Sequence, residues 1–279
     1  MTISQAIEQA SALLGSSCCD DSGWQALILA AHVLGRKPGE MCLVSELPFG
    51  DDLKLEAFFS LVEKRISGIP LQHVIGEWDF YGRTFKTDCR ALIPRQETEL
   101  LVDFIVSCRL PEHPTILDVG TGSGVIGISL ALEIPGSIVT GTDISLQALE
   151  LANENRLLLG AVNYSTVCCY LTDTVFGQFD VIAANLPYIA SDDIAGLQAE
   201  VRDHDPHSAL DGGEHGTLLI LELVRRAPGL LRSGGQIVLE TGHDQEKEVL
   251  SFFSEEMWCD IQAKRDLAGE HRIVAARRM

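Results

Sequence analysis

Beyond residue 95 the chain alternates short, nearly continuous apolar runs with longer stretches in which apolar residues recur every three or four positions, and no other feature narrows the fold as far. Residues 115–119, 137–142, 164–169, 179–184 and 236–240 read as strands covered on both faces. Helical periodicity over 97–107, 125–133, 146–158 and 217–231 separates most of them. Parallel strands need a crossover connection, and a helix is the usual one, so the pattern predicts an α/β fold with a doubly wound, mostly parallel sheet and helices on both faces. Two further runs, near 257–262 and 272–276, lie too close together for a helical crossover and are expected to pair antiparallel, making seven strands.

The preceding part of the chain has a different character. Residues 3–14, 22–34 and 53–66 are helical in period, with Ser22 and Asp51-Asp52 where caps would sit, so residues 1–72 read as a small all-helical domain. Two alternating stretches between 77 and 86 meet at Gly82, which signals a β-hairpin connector within 73–90 ahead of the sheet domain at 91–279.

A length of 279 residues with 46% hydrophobic content suits one main core with an appendage. No run approaches the ~20 apolar residues of a membrane span, and the N-terminus lacks the regions of a signal peptide, so a cytoplasmic protein without membrane contact is expected. The eight cysteines include no C-x-x-C pair, and no H-E-x-x-H spacing occurs; reduced, mostly buried thiols and no metal are expected. The net charge of -19, from 40 acids and 21 bases, repels a phosphate backbone and favours a basic protein partner over nucleic acid.

Three strand ends carry chemistry. The first strand of the alternating region runs into Gly120-Thr121-Gly122-Ser123-Gly124 and then a helix, a turn that lets a ligand approach the helix N-terminus or simply reverses the chain. It is neither a P-loop nor the dinucleotide G-x-G-x-x-G. The second strand ends at Asp143, roughly twenty residues on, where an acid can accept from both hydroxyls of a ribose or cap a helix. The fourth ends in Asn185-Leu186-Pro187-Tyr188, next to the first in doubly wound order, so Asn185 would face whatever lies over the glycine turn. Read blandly, Pro187 only stops a strand.

In this order the three ends resemble the class I S-adenosylmethionine-dependent methyltransferases, and N-x-P-Y is similar to the tetrapeptide of enzymes that methylate amide or exocyclic amino nitrogens. Upstream, "GIPLQHVIGEWDFYGRTF" and "ALIPRQETELLVD", and downstream "DPHSALDGGEHG", closely resemble motifs of the release factor glutamine methyltransferases, the HemK family. Against the commoner family forms, His73 replaces a tyrosine, Gln96 a proline, Asp205 a glutamate and His215 an aspartate, and Leu186 stands where proline is usual.

The resemblance covers essentially the whole chain. It implies methyl transfer to the glutamine amide of the Gly-Gly-Gln motif in class-1 peptide chain release factors. It further implies that Gly120, Thr121, Gly122, Ser123 and Gly124 hold the methionine part of the cofactor, that Asp143 holds the ribose, that a residue near Asp173 or Thr174 lines the adenine, and that Asn185 borders the cofactor as well as the substrate. The Asn185 side-chain oxygen and the Leu186 carbonyl would hold the substrate NH2, leaving the Leu186 side chain free to vary, while Tyr188 offers a stacking face. Arg95 would lie near the cofactor or form a surface ion pair. The downstream loop is a functional element or an ordinary surface turn, and the helical domain grips the release factor or is a dimerisation or stabilising cap; a monomer is expected.

Three alternatives differ in their demands. A nucleic-acid adenine-N6 methyltransferase would need a basic groove and a target-recognition insert, which this acidic chain lacks. A non-catalytic cofactor-binding protein would not need the intact Asn185, Pro187 and Tyr188. A nicotinamide dehydrogenase would need other glycine spacing.

Overall fold

The computed structural model describes residues 1–17 and 20–279, which leaves Cys18 and Cys19 of the thiol expectation outside it. The chain divides into two compact units, Met1–Glu77 with Ala199–His204, and Trp78–Gln198 with Asp205–Met279.

The first unit is helical. Helix α1 (Ile3–Ser16) opens on a capping box in which the Thr2 hydroxyl accepts from the Gln5 backbone N–H at 3.2 Å and the Gln5 side chain accepts from Thr2 N–H at 3.0 Å. It packs on α2 (Ser22–Leu34) along faces that bury Ala6, Ala10, Ala26 and Ala30, side chains small enough to bring two backbones close. Ser22 is the first helical residue of α2, not its cap; Asp21 holds that position with a left-handed backbone and no capping bond. Asp51 does cap α3 (Asp52–Ile66), accepting from Lys54 N–H at 2.9 Å. Short helices α4 (Leu71–Ile75) and α8 (Ala199–His204) complete the unit. Arg65, at the end of α3, is 3% exposed and donates to Gln25 Oε1 at 2.6 Å, to the Ile69 carbonyl at 3.3 Å and to Glu200 on α8.

A hairpin of β1 (Glu77–Phe80) and β2 (Arg83–Lys86) follows, turning through Tyr81 and Gly82, both at positive φ as a two-residue hairpin loop requires. Then come α5 (Glu99–Ser107), β3 (Thr115–Val119), α6 (Val125–Glu133), β4 (Ile138–Asp143), α7 (Leu146–Leu159), β5 (Tyr164–Cys168), β6 (Phe179–Ala184), α9 (Leu218–Leu230), β7 (Leu231–Glu240), α10 (Glu246–Ser251), β8 (Trp258–Arg265) and β9 (His271–Arg278). The seven strands β3 to β9 form one sheet in the order β5-β4-β3-β6-β7-β9-β8. Pairing is parallel from β5 across to β7, and β9 runs antiparallel to both its neighbours.

Side-chain alternation divides the core between the two faces of the sheet. Ile116, Val181, Ala183 and Val238 pack with residues of α5 and α6, whereas Leu117, Val119, Ile182 and Leu239 pack with residues of α9 and α10. Each central strand therefore contributes to both cores, which is why these strands read as unbroken apolar runs. Thiols depart from expectation: Cys169 is buried, Cys108 and Cys259 are half-buried, and Cys42, Cys89 and Cys168 are exposed. Among the described residues no helix is long and apolar enough to cross a membrane.

Helix α6 lies so close to the sheet that a Cβ on Gly127 would meet Tyr164 Cε2 at 2.5 Å and Asp118 Oδ2 at 2.9 Å. Alanine in a helix is worth about 1 kcal/mol over glycine, but overpacking costs about 1–3 kcal/mol. Tyr164 is 2% exposed with its hydroxyl 2.7 Å from Thr121 Oγ1, so it has little room to yield. Gly127→Ala should therefore lower unfolding free energy in a denaturant titration, and equal or greater stability would show that the ring can move.

Candidate active site

The sheet order reverses between β3 and β6: the chain leaves β3 toward β4 and β5 on one side, and leaves β6 toward β7 on the other. A crevice opens beyond the carboxyl ends of such strands. Register brings the two ends level, with Val119 beside Ala184 and Thr142, so Gly120, Asn185 and Asp143 emerge together. There they line a cavity of about 340 Å³, within the range of small-molecule sites.

The glycine turn has the backbone its sequence requires, with Gly120, Gly122 and Gly124 at φ of 72°, 55° and 86°. Gly120, Thr121, Gly122 and Ser123 line the cavity. Gly124 instead holds the N-cap position of α6, where a Cβ would strike Ile128 Cδ1 at 2.7 Å and crowd Ala152. The turn is fixed from beneath by Asp118, which is fully buried and whose Oδ2 accepts from Thr121 Oγ1 at 2.5 Å and from Gly127 N–H at 2.9 Å. Burial pushes this carboxyl up to about 6, against the pull of those two bonds.

Asp143 accepts from Gly122 N–H and from Ser145 N–H, both at 2.9 Å. It does not cap the next helix. Ser145 does, accepting from Ala148 N–H at 3.2 Å. Burial raises the Asp143 carboxyl, against the pull of the Ser145, Gly122 and Ile144 backbone N–H groups.

Asn185 and Leu186 close the β6 side. Asn185 Nδ2 donates to Thr98 Oγ1 at 3.0 Å, which commits its nitrogen end to the protein. Leu186 is 3% exposed and sits in the core beneath the cavity, where a Cβ on Gly120 would meet its Cδ2 at 2.9 Å; its side chain has a packing role that the sequence reading denied it. Pro187 lines the cavity, whereas Tyr188 is half-buried against the core outside it and its hydroxyl is raised to about 12, chiefly by burial.

The loop read as a possible surface turn is a wall of the site. Pro206, His207, Ser208, Ala209 and Asp211 line the cavity. Ile189 N–H donates to the Leu210 carbonyl at 3.1 Å, and Gly212 N–H returns a bond to Ile189 at 2.8 Å. Gly212 and Gly216 press so closely on the Pro187 and Tyr188 carbonyls that neither can carry a side chain. Gln245 Nε2 donates to the same Tyr188 carbonyl at 2.8 Å.

Asp173 lies on the exposed surface in an ion pair with Arg226, and neither it nor Thr174 lines the cavity; Tyr170 and Leu171 do. Arg95 is paired with the buried Asp205 at 3.0 Å, away from the cavity wall. Sequence reasoning missed Arg90, Ala91 and Leu92, whose only local signal is their place in the stretch that follows the hairpin.

A seven-stranded sheet with a single reversed strand, carrying a glycine turn, an acid and an Asn-x-Pro end around one cavity, defines a methyltransferase domain. A solved methyltransferase of Pyrococcus furiosus shares this fold with a TM-score of 0.53 at 16% identity, over 71% of this chain and 90% of that one. The family profile of the methyltransferase small domain matches residues 96–200, and that of the PrmC N-terminal domain matches residues 5–76. A release factor glutamine methyltransferase of Deinococcus radiodurans is 36% identical over 279 residues, spanning 100% of this chain and 99% of the relative. One of Chlorobaculum tepidum is 38% identical over 261 residues, spanning 88% and 87%. The chain belongs to the release factor glutamine methyltransferase family.

Asp118 makes stability depend on pH. Its folded pKa, about 6, lies above the unfolded value of about 3.9, so its contribution is fully present below pH ~4 and is lost as pH rises through 6. The loss is roughly 3 kcal/mol at about 1.4 kcal/mol per unit. Unfolding titrations of parent and Asp118→Asn between pH 4 and 7 should diverge by an amount of this order, and parallel curves would show the carboxyl ionised throughout.

Proposed function

We propose that this protein transfers a methyl group from S-adenosylmethionine to the side-chain amide nitrogen of the glutamine in the Gly-Gly-Gln motif of class-1 peptide chain release factors, in the cytoplasm. The observation that carries this reading is the opening of Asn185, Leu186 and Pro187 at the β6 end onto the same cavity as the glycine turn and Asp143. Family membership supports it, because the relatives bear that name.

The residues present fit the cofactor. The wall offers backbone at the glycine turn, the Asp143 acid and apolar surface from Ile144, Ala148 and Leu171, while Arg90 is already paired with Asp88 and Glu154 and does not oppose a cation. Gly120, Thr121, Gly122 and Ser123 would hold the methionine part, Asp143 the ribose, and Tyr170 and Leu171 the adenine. When bound, the cofactor supplies an electrophilic methyl on a sulfonium centre.

The chain's own task is to present a poor nucleophile. An amide nitrogen has its lone pair delocalised into the carbonyl, and two acceptors that hold its N–H groups orient that lone pair and stabilise the positive charge that grows on nitrogen. Asn185 Oδ1 and the Leu186 carbonyl serve as those acceptors. The glycine-rich loop and Gln245 brace the backbone just beyond them, so the acceptors are set before substrate arrives.

Asn185→Ala should leave cofactor affinity unchanged in calorimetry while turnover on a release factor falls roughly a hundredfold, as when a transition-state hydrogen-bonding group is removed. Asp143→Ala should do the reverse, weakening cofactor binding by loss of charge-assisted bonds worth about 1.5–3 kcal/mol each. Unchanged turnover in the first variant, or unchanged affinity in the second, would remove the role assigned to that residue.

The helical segment before the hairpin is assigned to recognition of the release factor. Removing residues 1–70 should sharply reduce methylation of the intact factor and reduce much less that of a short glutamine-containing peptide. With a net charge of -19, encounter with a basic partner should also weaken as salt rises. Equal loss on protein and peptide would assign the segment to stability instead.

A further inference from the structure

An asparagine carboxamide has two ends of nearly the same shape, and only the oxygen end accepts a hydrogen bond from a substrate N–H. Nothing in Asn185 itself selects that end. The selection comes from behind it. Nδ2 donates to Thr98 Oγ1 at 3.0 Å, and Thr98 is 2% exposed where a single helical turn, Gln96–Thr98, runs into α5. Glu240 ends β7 one step beyond the Ala184 and Leu239 pair, which sets it beside Asn185, and it is 2% exposed. Thr98 and Asn185 both pull its carboxyl pKa down, and its Oε2 is buried without a hydrogen-bond partner.

We propose, resting on the function proposed above, that Thr98 and Glu240 are positioning residues that lock the Asn185 carboxamide with its oxygen toward the substrate amide. The directions of the bonds enforce it. An ionised carboxylate can only accept, so the single Thr98 hydroxyl hydrogen turns toward Glu240. The Thr98 oxygen is then an acceptor toward Asn185 and takes its N–H. With the nitrogen end held by the protein, Oδ1 is the end left for the cavity. A protonated Glu240 reverses the logic: it can donate to Thr98, whose own hydrogen is then free to point at Asn185, and the carboxamide loses its preferred end.

Glu240 is poised for this exchange. Burial raises its carboxyl to about 7, against the pull of Thr98, of Arg272 on β9 and of Asn185, while Glu97 beside Thr98 adds to the rise. Tyr188 also faces it, as a neutral phenol. The lock therefore engages as pH rises through about 7 and is released as pH falls through it.

Thr98→Val removes the hydroxyl at constant shape and should lower turnover on the release factor roughly ten- to a hundredfold with cofactor affinity unchanged, the scale of a small misplacement of a reacting group. Thr98→Ser should stay within about threefold of the parent. Turnover of the parent should fall with acid through a midpoint near 7, and Glu240→Gln should lack that limb. Parent-like turnover in Thr98→Val, or an unchanged acid limb in Glu240→Gln, would overturn the proposal. A parent enzyme that transfers no methyl to the release factor would instead sink the function it rests on. The lock is then read alone from the Asn185 side-chain amide signal in a nitrogen-15 NMR spectrum, identified by its loss in Asn185→Ala. That signal should titrate near pH 7 in the parent and not in Glu240→Gln, and should exchange faster with solvent in Thr98→Val; an identical signal in all three would overturn the lock.

Discussion

The parallel pairing of β3 with β6 is the constraint on which the site depends. Those two strands are neighbours in space but are separated in the chain by two helix-and-strand units, and the chain departs from them in opposite directions across the sheet. No loop can bridge their ends, so a crevice remains between them. What the sequence places at those ends is held by strands that are buried on both faces. The glycine turn and Asn185 inherit the rigidity of the sheet centre rather than the mobility of surface loops.

Two buried carboxyl groups support that crevice from below. Asp118 on β3 ties the glycine turn to the first turn of α6, and Glu240 on β7 faces the Thr98 and Asn185 pair. Both are pushed toward neutrality by burial, and both occupy sites where an apolar residue would pack at no electrostatic cost. The sheet thus gives up some stability at two points beneath the cavity, and in each case the group that gains a fixed direction belongs to the cavity wall.

Much of this architecture was legible because it is local or periodic. Residues 115–119, 179–184 and 125–133 have the bounds their apolar patterns indicate, since strands covered on both faces and a helix pressed against a sheet tolerate few polar interruptions. Asn185 and Asp143 could be placed because the order of strands in a doubly wound sheet follows from the alternation itself. The remaining wall could not. Arg90, Tyr170 and Pro206 reach the cavity through loops whose course is set by tertiary contacts, and the Gly212 and Gly216 contacts with the Pro187 and Tyr188 carbonyls look in sequence like any turn. Glu240 was invisible for the opposite reason: an acid at the end of a strand reads as the start of solvent. Leu186 was misjudged because attention to its carbonyl hid a side chain that fills the floor beneath the glycine turn.

The helical unit carries a debt of a different kind. Arg65 is buried, and the carboxylate that answers its charge, Glu200, lies 135 positions later in the chain although both belong to the same compact unit. A buried guanidinium without its partner is costly. During synthesis the N-terminal helices emerge before Glu200 exists, and until α8 is made the Arg65 guanidinium can stay in water, so this pair forms only after four strands of the sheet have been made. The order of manufacture and the order of completion therefore differ: the unit made first takes its last helix from a stretch made after four strands of the next.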